Sequence, residues 1–395
     1  MHIKLVVNSF PVVSETFLFN LVVGLESKGF HVSVCAMSPS RHIKLYQSRL
    51  KEWSGEIDVI PFSSKNIFNL ISLLPHVAKN IIGIISFDRK KLRQNLVTKI
   101  HEYYLLKGNP DIVHFAYSGI AVSFLKSIPF IKSKGVNVIM SCRGSAEKVR
   151  PIVDPIRKEE LCKLFTLCDK VHCVSYDMLQ GLKKYGLLEQ KTFINYPSVD
   201  VEYFIREKNY KIDDKKIIKL VTTGRLHFQK GYLYALQAMK MLKDNGYVFQ
   251  YKIIGDGPDR HMIQYVISEL NLEDNVILTG KISSVEVKRI LLDSDIFILP
   301  SLYEGIANAA LEALALELPL VTTKSGGMAE VITHRENGML VERFDGFEIF
   351  KAVKELIDNP LLRKKISDES RKVTLEKFNT KMQIEIYKEV YSQLI

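Results

Sequence analysis

Two glutamates stand eight residues apart in the second half of the chain, where an apolar strand passes into a helix. Glu304 follows the predicted strand 295–300 on a turn that contains Gly305, and Glu312 lies inside a helix that begins near Ala307. A helix N-terminus presents unpaired N–H groups and a partial positive charge, which suits a phosphate. Carboxylates on both sides of that position can hold hydroxyls, so the pattern favours a nucleotide sugar. Taken singly, each glutamate is equally explained as a turn or helix-surface residue.

Two basic residues on an earlier loop could neutralise the phosphates of such a ligand. Arg225 and Lys230 follow the predicted strand 220–223, beside Gly224 and Gly231. Fixed cations can clamp a diphosphate and stabilise its growing charge when a bond to it breaks. The glycines would let the backbone approach the phosphates closely. Without further context, the two cations could also be a solvated surface pair.

These residues belong to a series of signatures that resembles the retaining glycosyltransferases of family 4, which have the GT-B fold. The E-x7-E spacing of Glu304 and Glu312 is one of them. The others occur in the family's order: Gly224-Arg225-Leu226, Lys230-Gly231, Gly255-Asp256-Gly257-Pro258, Leu278-Thr279-Gly280, Asp295-Ile296-Phe297-Ile298-Leu299-Pro300-Ser301 and Gly326-Gly327-x-x-Glu330.

The resemblance implies an α/β protein with two Rossmann-like, doubly wound domains that face each other across a cleft. It implies retaining, metal-independent transfer of a sugar from a nucleoside diphosphate donor to a glycan or polyprenyl-diphosphate-linked acceptor. The segment Ser14-Glu15-Thr16-Phe17 resembles one found in members that build colanic acid and other exopolysaccharides. Alternatives are a GT-B relative with epimerase or phosphorylase chemistry, and a membrane-associated protein that binds nucleotide sugars without turnover.

The resemblance also assigns residues to the two sides of the reaction. The expected catalytic residues are Arg225, Lys230 and Glu304. The expected donor-binding residues are Gly224, Gly255, Lys281, Ile282, Gly305, Ile306, Ala307, Asn308 and Glu312. On the acceptor side the candidates are Ser14, Glu15, Thr16, His114 and Arg143.

The acceptor side departs from the family pattern. Arg143 stands where many members have a histidine that faces the transferred sugar, and a guanidinium cannot do neutral-imidazole chemistry. His114 ends a predicted strand and is equally a candidate for a core histidine. Ser14 as a helix N-cap, with Glu15 beside the positive end of that helix, is a sufficient structural explanation for both residues.

A D-x-D triplet, Asp293-Ser294-Asp295, matches the metal–diphosphate motif of the other glycosyltransferase fold, GT-A. Here it lies where a helix passes into a buried strand, so we interpret it as structural. We expect no metal and no cofactor, because Arg225, Lys230 and a helix N-terminus already supply positive charge.

Length and apolar spacing predict the domains. The 395 residues, 47% of them hydrophobic, are sufficient for two cores. Short apolar runs alternate with helical stretches, which predicts parallel sheets. The predicted strands are 3–7, 30–35, 111–115, 137–140, 170–174, 218–222, 249–254, 276–278, 296–299 and 320–322. We expect an acceptor domain at 1–204, a linker at 205–218, a nucleotide-sugar domain at 219–374 and, at 375–395, a helix that returns to the first domain.

Composition predicts the compartment. Five cysteines in so long a chain do not form a disulfide framework, and we find neither a signal peptide nor an apolar run of membrane-spanning length. We therefore expect a cytoplasmic protein. The net charge of +11 favours an anionic partner. Residues 65–107 carry net +6 together with apolar clusters, so they form either an interfacial surface at the inner face of an acidic membrane or a solvated basic face. No nucleic-acid-binding motif is recognised.

Overall fold

The short apolar runs form two separate parallel sheets in the computed structural model, which describes residues 1–12, 15–60, 89–207 and 217–394. The chain divides into two units. The first comprises Met1–Val174, Met178–Asn195 and Ile384–Ile395; the second comprises Ser175–Asp177 and Tyr196–Gln383. Two parallel α/β sheets confirm the predicted fold class.

The first unit has a seven-stranded sheet in the order β3-β2-β1-β4-β5-β6-β7, and all neighbouring strands are parallel. Its strands are β1 (His2–Val7), β2 (His31–Ala36), β3 (Ile57–Val59), β4 (Ile112–Phe115), β5 (Asn137–Cys142), β6 (Lys170–Cys173) and β7 (Thr192–Ile194).

Helices cover both faces of this sheet, as the burial of β1 illustrates. Ile3, Leu5 and Val7 enter one buried cluster, and Val6 enters another on the opposite face. The helices are Thr16–Glu26, Arg89–Leu106, Ser118–Ser123, Ile128–Lys132, Ser145–Lys148, Arg150–Val153, Pro155–Leu167 and Tyr176–Lys183. Short 3-10 turns occupy Ile43–Tyr46, Arg49–Glu52 and Glu189–Lys191.

The second unit has a six-stranded parallel sheet in the order β10-β9-β8-β11-β12-β13. Its strands are β8 (Ile218–Thr223), β9 (Phe249–Ile254), β10 (Val276–Gly280), β11 (Ile296–Leu299), β12 (Leu320–Thr323) and β13 (Met339–Val341). The helices are Tyr232–Asp244, Arg260–Glu269, Ser284–Leu292, Asn308–Ala315, Met328–Val331, Gly346–Asp358 and Pro360–Lys377, with a 3-10 turn at Phe228–Lys230. The last helix, Thr380–Ser392, begins in this unit, and its residues from Ile384 onward belong to the first unit. None of the described helices combines the length and the apolar content that crossing a bilayer requires.

The sequence predicted ten of the thirteen strands that the structure describes and missed β3, β7 and β13. All three are three-residue strands at a sheet edge, too short for an apolar pattern. In β3 the middle residue is Asp58, which pairs with the buried Lys4 of β1. Lys4 also donates to the carbonyls of Tyr104 and Lys107, at the end of the helix Arg89–Leu106. Burial lowers the pKa of Lys4.

The structure places the first domain boundary at Asn195 rather than at 204. The reason is that residues after Asn195 bind the second unit: the Val199 N–H donates to the Phe378 carbonyl. Arg206, inside the predicted linker, donates to the carbonyls of Leu316 and Leu292. The rest of that linker, 208–216, lies outside the described residues, as do residues 65–88 of the predicted basic surface.

The last residues of the chain, Ile384–Ile395, belong to the first unit through a buried polar chain. Tyr391 hydrogen bonds the Nδ1 atom of His114 at 2.6 Å, and Tyr387 hydrogen bonds the Nδ1 atom of His172 at 3.0 Å. The Ser141 hydroxyl joins the two imidazoles at 2.8 Å from each. Because all five side chains are buried, each depends on the others for its polar contacts.

We expect Tyr391→Phe to destabilise the first unit by about 1–3 kcal/mol, because it leaves a buried imidazole nitrogen without its partner. Urea denaturation, monitored through amide exchange of first-unit residues, measures the loss in free energy of unfolding. The control is Tyr265→Phe, which removes a hydroxyl from a side chain that is 64% exposed. Equal effects of the two substitutions would contradict the structural role of Tyr391.

Candidate active site

Three loops of the second unit converge on Glu304. They follow β8, β11 and β12, which are adjacent parallel strands, so their carboxyl ends lie at one edge of the sheet. Backbone hydrogen bonds join the loops: the Leu302 N–H donates to the Gln229 carbonyl at 2.8 Å, and the Gly327 N–H donates to the Gly305 carbonyl at 2.7 Å. The sheet therefore determines where Glu304 lies.

Glu304 contacts one of the two cations that the sequence singled out. The Lys230 ammonium lies 2.6 Å from the Glu304 Oε1 atom, and the Ser301 hydroxyl donates to the same oxygen at 2.7 Å. The side chains of Lys230 and Glu304 are 20% and 11% exposed, so the pair is partly withdrawn from water but remains reachable. The contact with Ser301 had no signal in the sequence beyond its place in the motif.

Glycines allow this close approach of backbones. Gly231 has φ +66°, and a Cβ atom there would lie 2.0 Å from the Pro300 carbonyl oxygen. Gly326 has φ +59°, and a Cβ atom would lie 1.7 Å from the Glu304 carbonyl oxygen. Any side chain at either position would push the loops apart and displace Glu304.

Gly224 and Gly255, both expected near the donor, pack against each other. A Cβ atom on Gly255 would lie 1.9 Å from the Gly224 carbonyl oxygen, and the Gly255 N–H donates to the Gly280 carbonyl at 3.0 Å. Close packing within the described residues thus explains why glycine is needed at Gly255, beside Gly224. Contact of either backbone with the donor stays a prediction.

The helix Asn308–Ala315 begins directly after this cluster. Gly305, Ile306 and Ala307 are buried and Asn308 is exposed. Ala307 occupies the N-cap position, and its methyl side chain cannot cap the helix. The helix therefore begins four residues after Glu304, and the N–H groups of its first turn carry a partial positive charge.

Glu312 lies in the second turn of this helix and is partly buried. Burial raises the pKa of Glu312 to about 7, so the carboxyl group titrates near neutral pH. The sequence predicted the position of this glutamate but not its protonation.

Three more expected donor residues lie on loops of the same unit. Arg225 is exposed after β8, and no hydrogen bond or ion pair to its guanidinium is found among the described residues. Lys281 is exposed after β10, and the Ile282 side chain packs against the buried cluster around Leu299. The Ile282 side chain is partly buried.

The D-x-D triplet has a structural explanation. Asp295 is buried, and its carboxylate accepts the Lys219 backbone N–H at 2.8 Å. The Asp293 carboxylate pairs with the Lys219 ammonium at 2.8 Å. Both acids therefore contact Lys219, which lies in β8.

On the first unit, the structure brings Glu15 and Arg143 together near Tyr117. The Arg143 guanidinium lies 4.5 Å from the centre of the Phe17 ring and 6.0 Å from that of Tyr117. Burial raises the pKa of Glu15, while a hydrogen bond from Tyr117 and the charge of Arg143 oppose that rise. The Glu15 Oε2 atom is buried without a partner among the described residues. Tyr117 was not predicted, since a lone tyrosine after a strand carries no signal.

Two acceptor-side expectations change. His114 is fully buried with both ring nitrogens hydrogen bonded, and burial lowers its pKa to about 3, so it is a core histidine rather than an acceptor contact. Glu15 occupies the N-cap position that the sequence assigned to Ser14, and it makes no capping hydrogen bond. Ser14 itself lies outside the described residues. Thr16 is exposed at the first position of the helix.

Two family models match the chain side by side. "Glycosyltransferase Family 4" matches residues 14–203, and "Glycosyl transferases group 1" matches residues 202–373. The amylovoran biosynthesis glycosyltransferase AmsK of Erwinia amylovora is 28% identical over 357 residues, which cover 85% of this chain and 86% of AmsK. The putative colanic acid biosynthesis glycosyltransferase WcaL of Escherichia coli (strain K12) is 26% identical over 359 residues, with the same coverage of 85% and 86%.

Solved glycosyltransferase structures share the fold. HepE of Anabaena in complex with UDP superposes with a TM-score of 0.74 at 15% identity, covering 100% of both chains. TarM superposes with a TM-score of 0.74 at 14% identity, covering 99% of this chain and 98% of TarM. At these identities the similarity establishes the architecture alone.

The raised pKa of Glu312 predicts how stability depends on pH. Because the pKa is about 7 in the folded chain and 4.5 in the reference state, the folded state holds the proton between these values. The stability contribution is present below pH 4.5 and is lost as the pH rises through 7. Between pH 5 and pH 8 the wild type should therefore lose stability that Glu312→Gln keeps. We expect the difference in free energy of unfolding between variant and wild type to change by on the order of 2 kcal/mol in favour of the variant.

Denaturation midpoints at the two pH values test this expectation. The matched control is Glu269→Gln, which changes an exposed glutamate on another helix. If Glu312→Gln and Glu269→Gln show the same dependence on pH, the carboxyl group of Glu312 is not buried as described.

Proposed function

The chain belongs to the family 4 glycosyltransferases and has the GT-B fold, and from this premise we propose that it transfers a sugar from a nucleoside diphosphate donor with retention of configuration. The observation that carries the proposal is the direct contact of Lys230 with Glu304 immediately before an uncapped helix N-terminus. A cation for phosphate and a carboxylate for hydroxyls are thereby adjacent, as a sugar–phosphate bond requires.

The donor is held at both of its ends. Lys230, Arg225 and the N–H groups at Ala307 and Asn308 bind the diphosphate, Glu304 binds sugar hydroxyls, and Glu312 binds ribose hydroxyls. Lys230 is paired with Glu304, and this ion pair orients the lysine toward the proposed diphosphate site. The nucleobase meets only backbone at Lys281 and Ile282.

The reaction proceeds on one face of the sugar. The bond between the anomeric carbon and the β-phosphate oxygen breaks, and the acceptor hydroxyl oxygen forms its bond to the same face of that carbon. The hydroxyl proton passes to the departing phosphate oxygen. No protein nucleophile takes part, and Lys230 and Arg225 stabilise the charge that grows on the diphosphate.

The acceptor binds the first unit, at Glu15 and Arg143. The unpartnered Oε2 atom of Glu15 can accept a hydrogen bond from an acceptor hydroxyl, and Arg143 can hold hydroxyl or phosphate oxygens. The rings of Phe17 and Tyr117 lie beside the Arg143 guanidinium and restrict its orientation. A lysine at this position would lack the planar group that stacks on such rings.

The similarity to AmsK and WcaL supports a role in exopolysaccharide biosynthesis, with a glycan or polyprenyl-diphosphate-linked acceptor. Free cysteines support a reducing compartment, the cytoplasm. The basic residues of 65–107 would then place the enzyme at the inner face of the membrane.

The first test concerns the diphosphate clamp. A panel of nucleotide sugars, screened by thermal stabilisation and slow donor hydrolysis, identifies the donor. With it, Lys230→Ala should lower kcat roughly a hundredfold and change KM less, because the interaction strengthens as the diphosphate leaves.

Lys240→Ala is the matched control, since the Lys240 side chain is 36% exposed and its ion pair, with Asp244, lies within its own helix. Lys230→Arg keeps the positive charge and separates a loss of folding from a loss of the clamp. Unchanged turnover in a folded Lys230→Ala protein would remove Lys230 from the mechanism.

The second test concerns metal. Since the fixed cations neutralise the diphosphate, turnover should persist in excess EDTA after the protein has been stripped with a chelator. Adding back Mg²⁺ or Mn²⁺ should change kcat less than twofold. A loss of turnover in EDTA that Mn²⁺ restores would contradict the metal-independent mechanism.

A further inference from the structure

The Tyr232 hydroxyl is a buried polar group with no hydrogen-bond partner among the residues that the structure describes. Tyr232 is 2% exposed, and its side chain belongs to the hydrophobic core of the second unit. A phenylalanine would fill the same space without the cost of an unpaired buried hydroxyl, so core packing alone does not favour tyrosine at this position. Buried polar groups in native proteins are rarely left unpaired, and a catalytic or ligand-binding role is one reason for an exception.

This hydroxyl lies beside two residues that we assign to the donor site. A Cβ atom on Gly224 would lie 3.2 Å from the Tyr232 hydroxyl oxygen, and 3.4 and 3.6 Å from the Cε and Cδ atoms of Lys230. The hydroxyl and the methylene groups of the lysine therefore meet at one point of the Gly224 backbone, directly after β8. Tyr232 thus reaches the edge of the sheet at which the loops around Glu304 converge.

The polar groups next to this point are themselves donors that have other partners. The Gly224 N–H donates to the Ile254 carbonyl at 2.9 Å, and the Lys230 ammonium lies 2.6 Å from the Glu304 Oε1 atom. The hydroxyl of Tyr232 adds a further donor beside them. A group of donors of this kind complements an anion, whose oxygens accept hydrogen bonds.

The electrostatics of the position keep the hydroxyl protonated. Burial raises the pKa of Tyr232, and the neighbouring Tyr251 and Glu304 add to that rise. The hydroxyl is therefore a donor at any physiological pH. Tyr232 also begins the helix Tyr232–Asp244, whose N-cap Gly231 has no side chain to cap it, so the N–H groups of the first turn add a partial positive charge.

We propose that the Tyr232 hydroxyl donates a hydrogen bond to an oxygen of the donor diphosphate, as a third side chain of the clamp formed by Arg225 and Lys230. The Lys230 methylene groups lie beside the hydroxyl, so they uncover it when the ammonium turns from Glu304 to the diphosphate. The ion pair with Glu304 is then exchanged for contacts with phosphate oxygens. This inference deepens the proposed function and rests on it, because it requires a nucleoside diphosphate at this position.

Isothermal titration calorimetry with nucleoside diphosphates tests the inference on the full chain. UDP, GDP, ADP, CDP and TDP are each titrated into the wild type, and the one that binds most tightly is the probe. Tyr232→Phe should weaken the binding of this probe about tenfold, because it removes a hydrogen bond to a charged group.

Thermal denaturation of the same variant separates a binding role from a structural one. Tyr232→Phe should leave the melting temperature unchanged or raise it, because the hydroxyl that it removes has no partner in the described part of the chain. Lower affinity without lower stability is the combination that the proposal predicts.

The matched control is Tyr251→Phe, which also removes a hydroxyl from the core of the second unit. The Tyr251 hydroxyl lies 2.6 Å from the Thr222 hydroxyl, and both side chains are buried. Because this substitution breaks a buried hydrogen bond away from the clamp, it should lower the melting temperature and leave the affinity for the probe unchanged.

Two results would overturn the role of Tyr232. The first is a folded Tyr232→Phe protein that binds the probe as tightly as the wild type, since the hydroxyl would then belong to the core alone. The second is an equal loss of affinity and of melting temperature in Tyr232→Phe and Tyr251→Phe, since damage to the core would account for both. A wild type that binds none of the nucleoside diphosphates would instead contradict the proposed function, and the role of Tyr232 with it, so the wild-type titration distinguishes the two failures.

Discussion

The contact between Lys230 and Glu304 depends on two backbones that nearly touch. Pro300 packs on Gly231 and Glu304 packs on Gly326, so a single methyl group at either glycine would separate the loops. The ion pair is partly withdrawn from water, where charge interactions are stronger than at the surface. A cation and a carboxylate that are desolvated and oriented before any ligand arrives need little reorganisation when charge develops on a diphosphate. The chemistry of the second unit therefore rests on the packing of its loops.

In the first unit, buried polar groups hold segments of the chain together. Two imidazoles, a serine and two tyrosines attach the last residues of the chain to the sheet, and burial keeps His114 neutral with a pKa of about 3. A second network, around Glu147, fixes the segment that holds Arg143. Buried polar contacts of this kind cost stability when they are incomplete. The same unit thus positions a candidate acceptor site.

Charge is distributed according to burial in both units. Glu304, which precedes the helix Asn308–Ala315, is paired with Lys230. Glu312 lies inside that helix, and burial raises its pKa to about 7. Ribose hydroxyls that donate to Glu312 would favour its ionised form, so a ligand could take the place of the water that the carboxylate lacks. Glu15 in the first unit has the same character, since burial raises its pKa and its Oε2 atom has no partner among the residues that the structure describes. Both carboxylates are thereby suited to a ligand that supplies hydroxyl groups.

The sequence by itself determined the fold class, ten strands and the order of motifs around Glu304, because apolar periodicity and glycine-rich turns act over a few residues. Tertiary structure decided the rest. It placed His114 in the core, put Glu15 at the N-cap position, drew the boundary at Asn195 and added three edge strands. It also joined Ser301 to Glu304, Tyr117 to Glu15 and Ser118 to Glu147. These contacts join residues from 3 to 102 positions apart or depend on burial, and no local pattern encodes which side chains the packing of a sheet brings together.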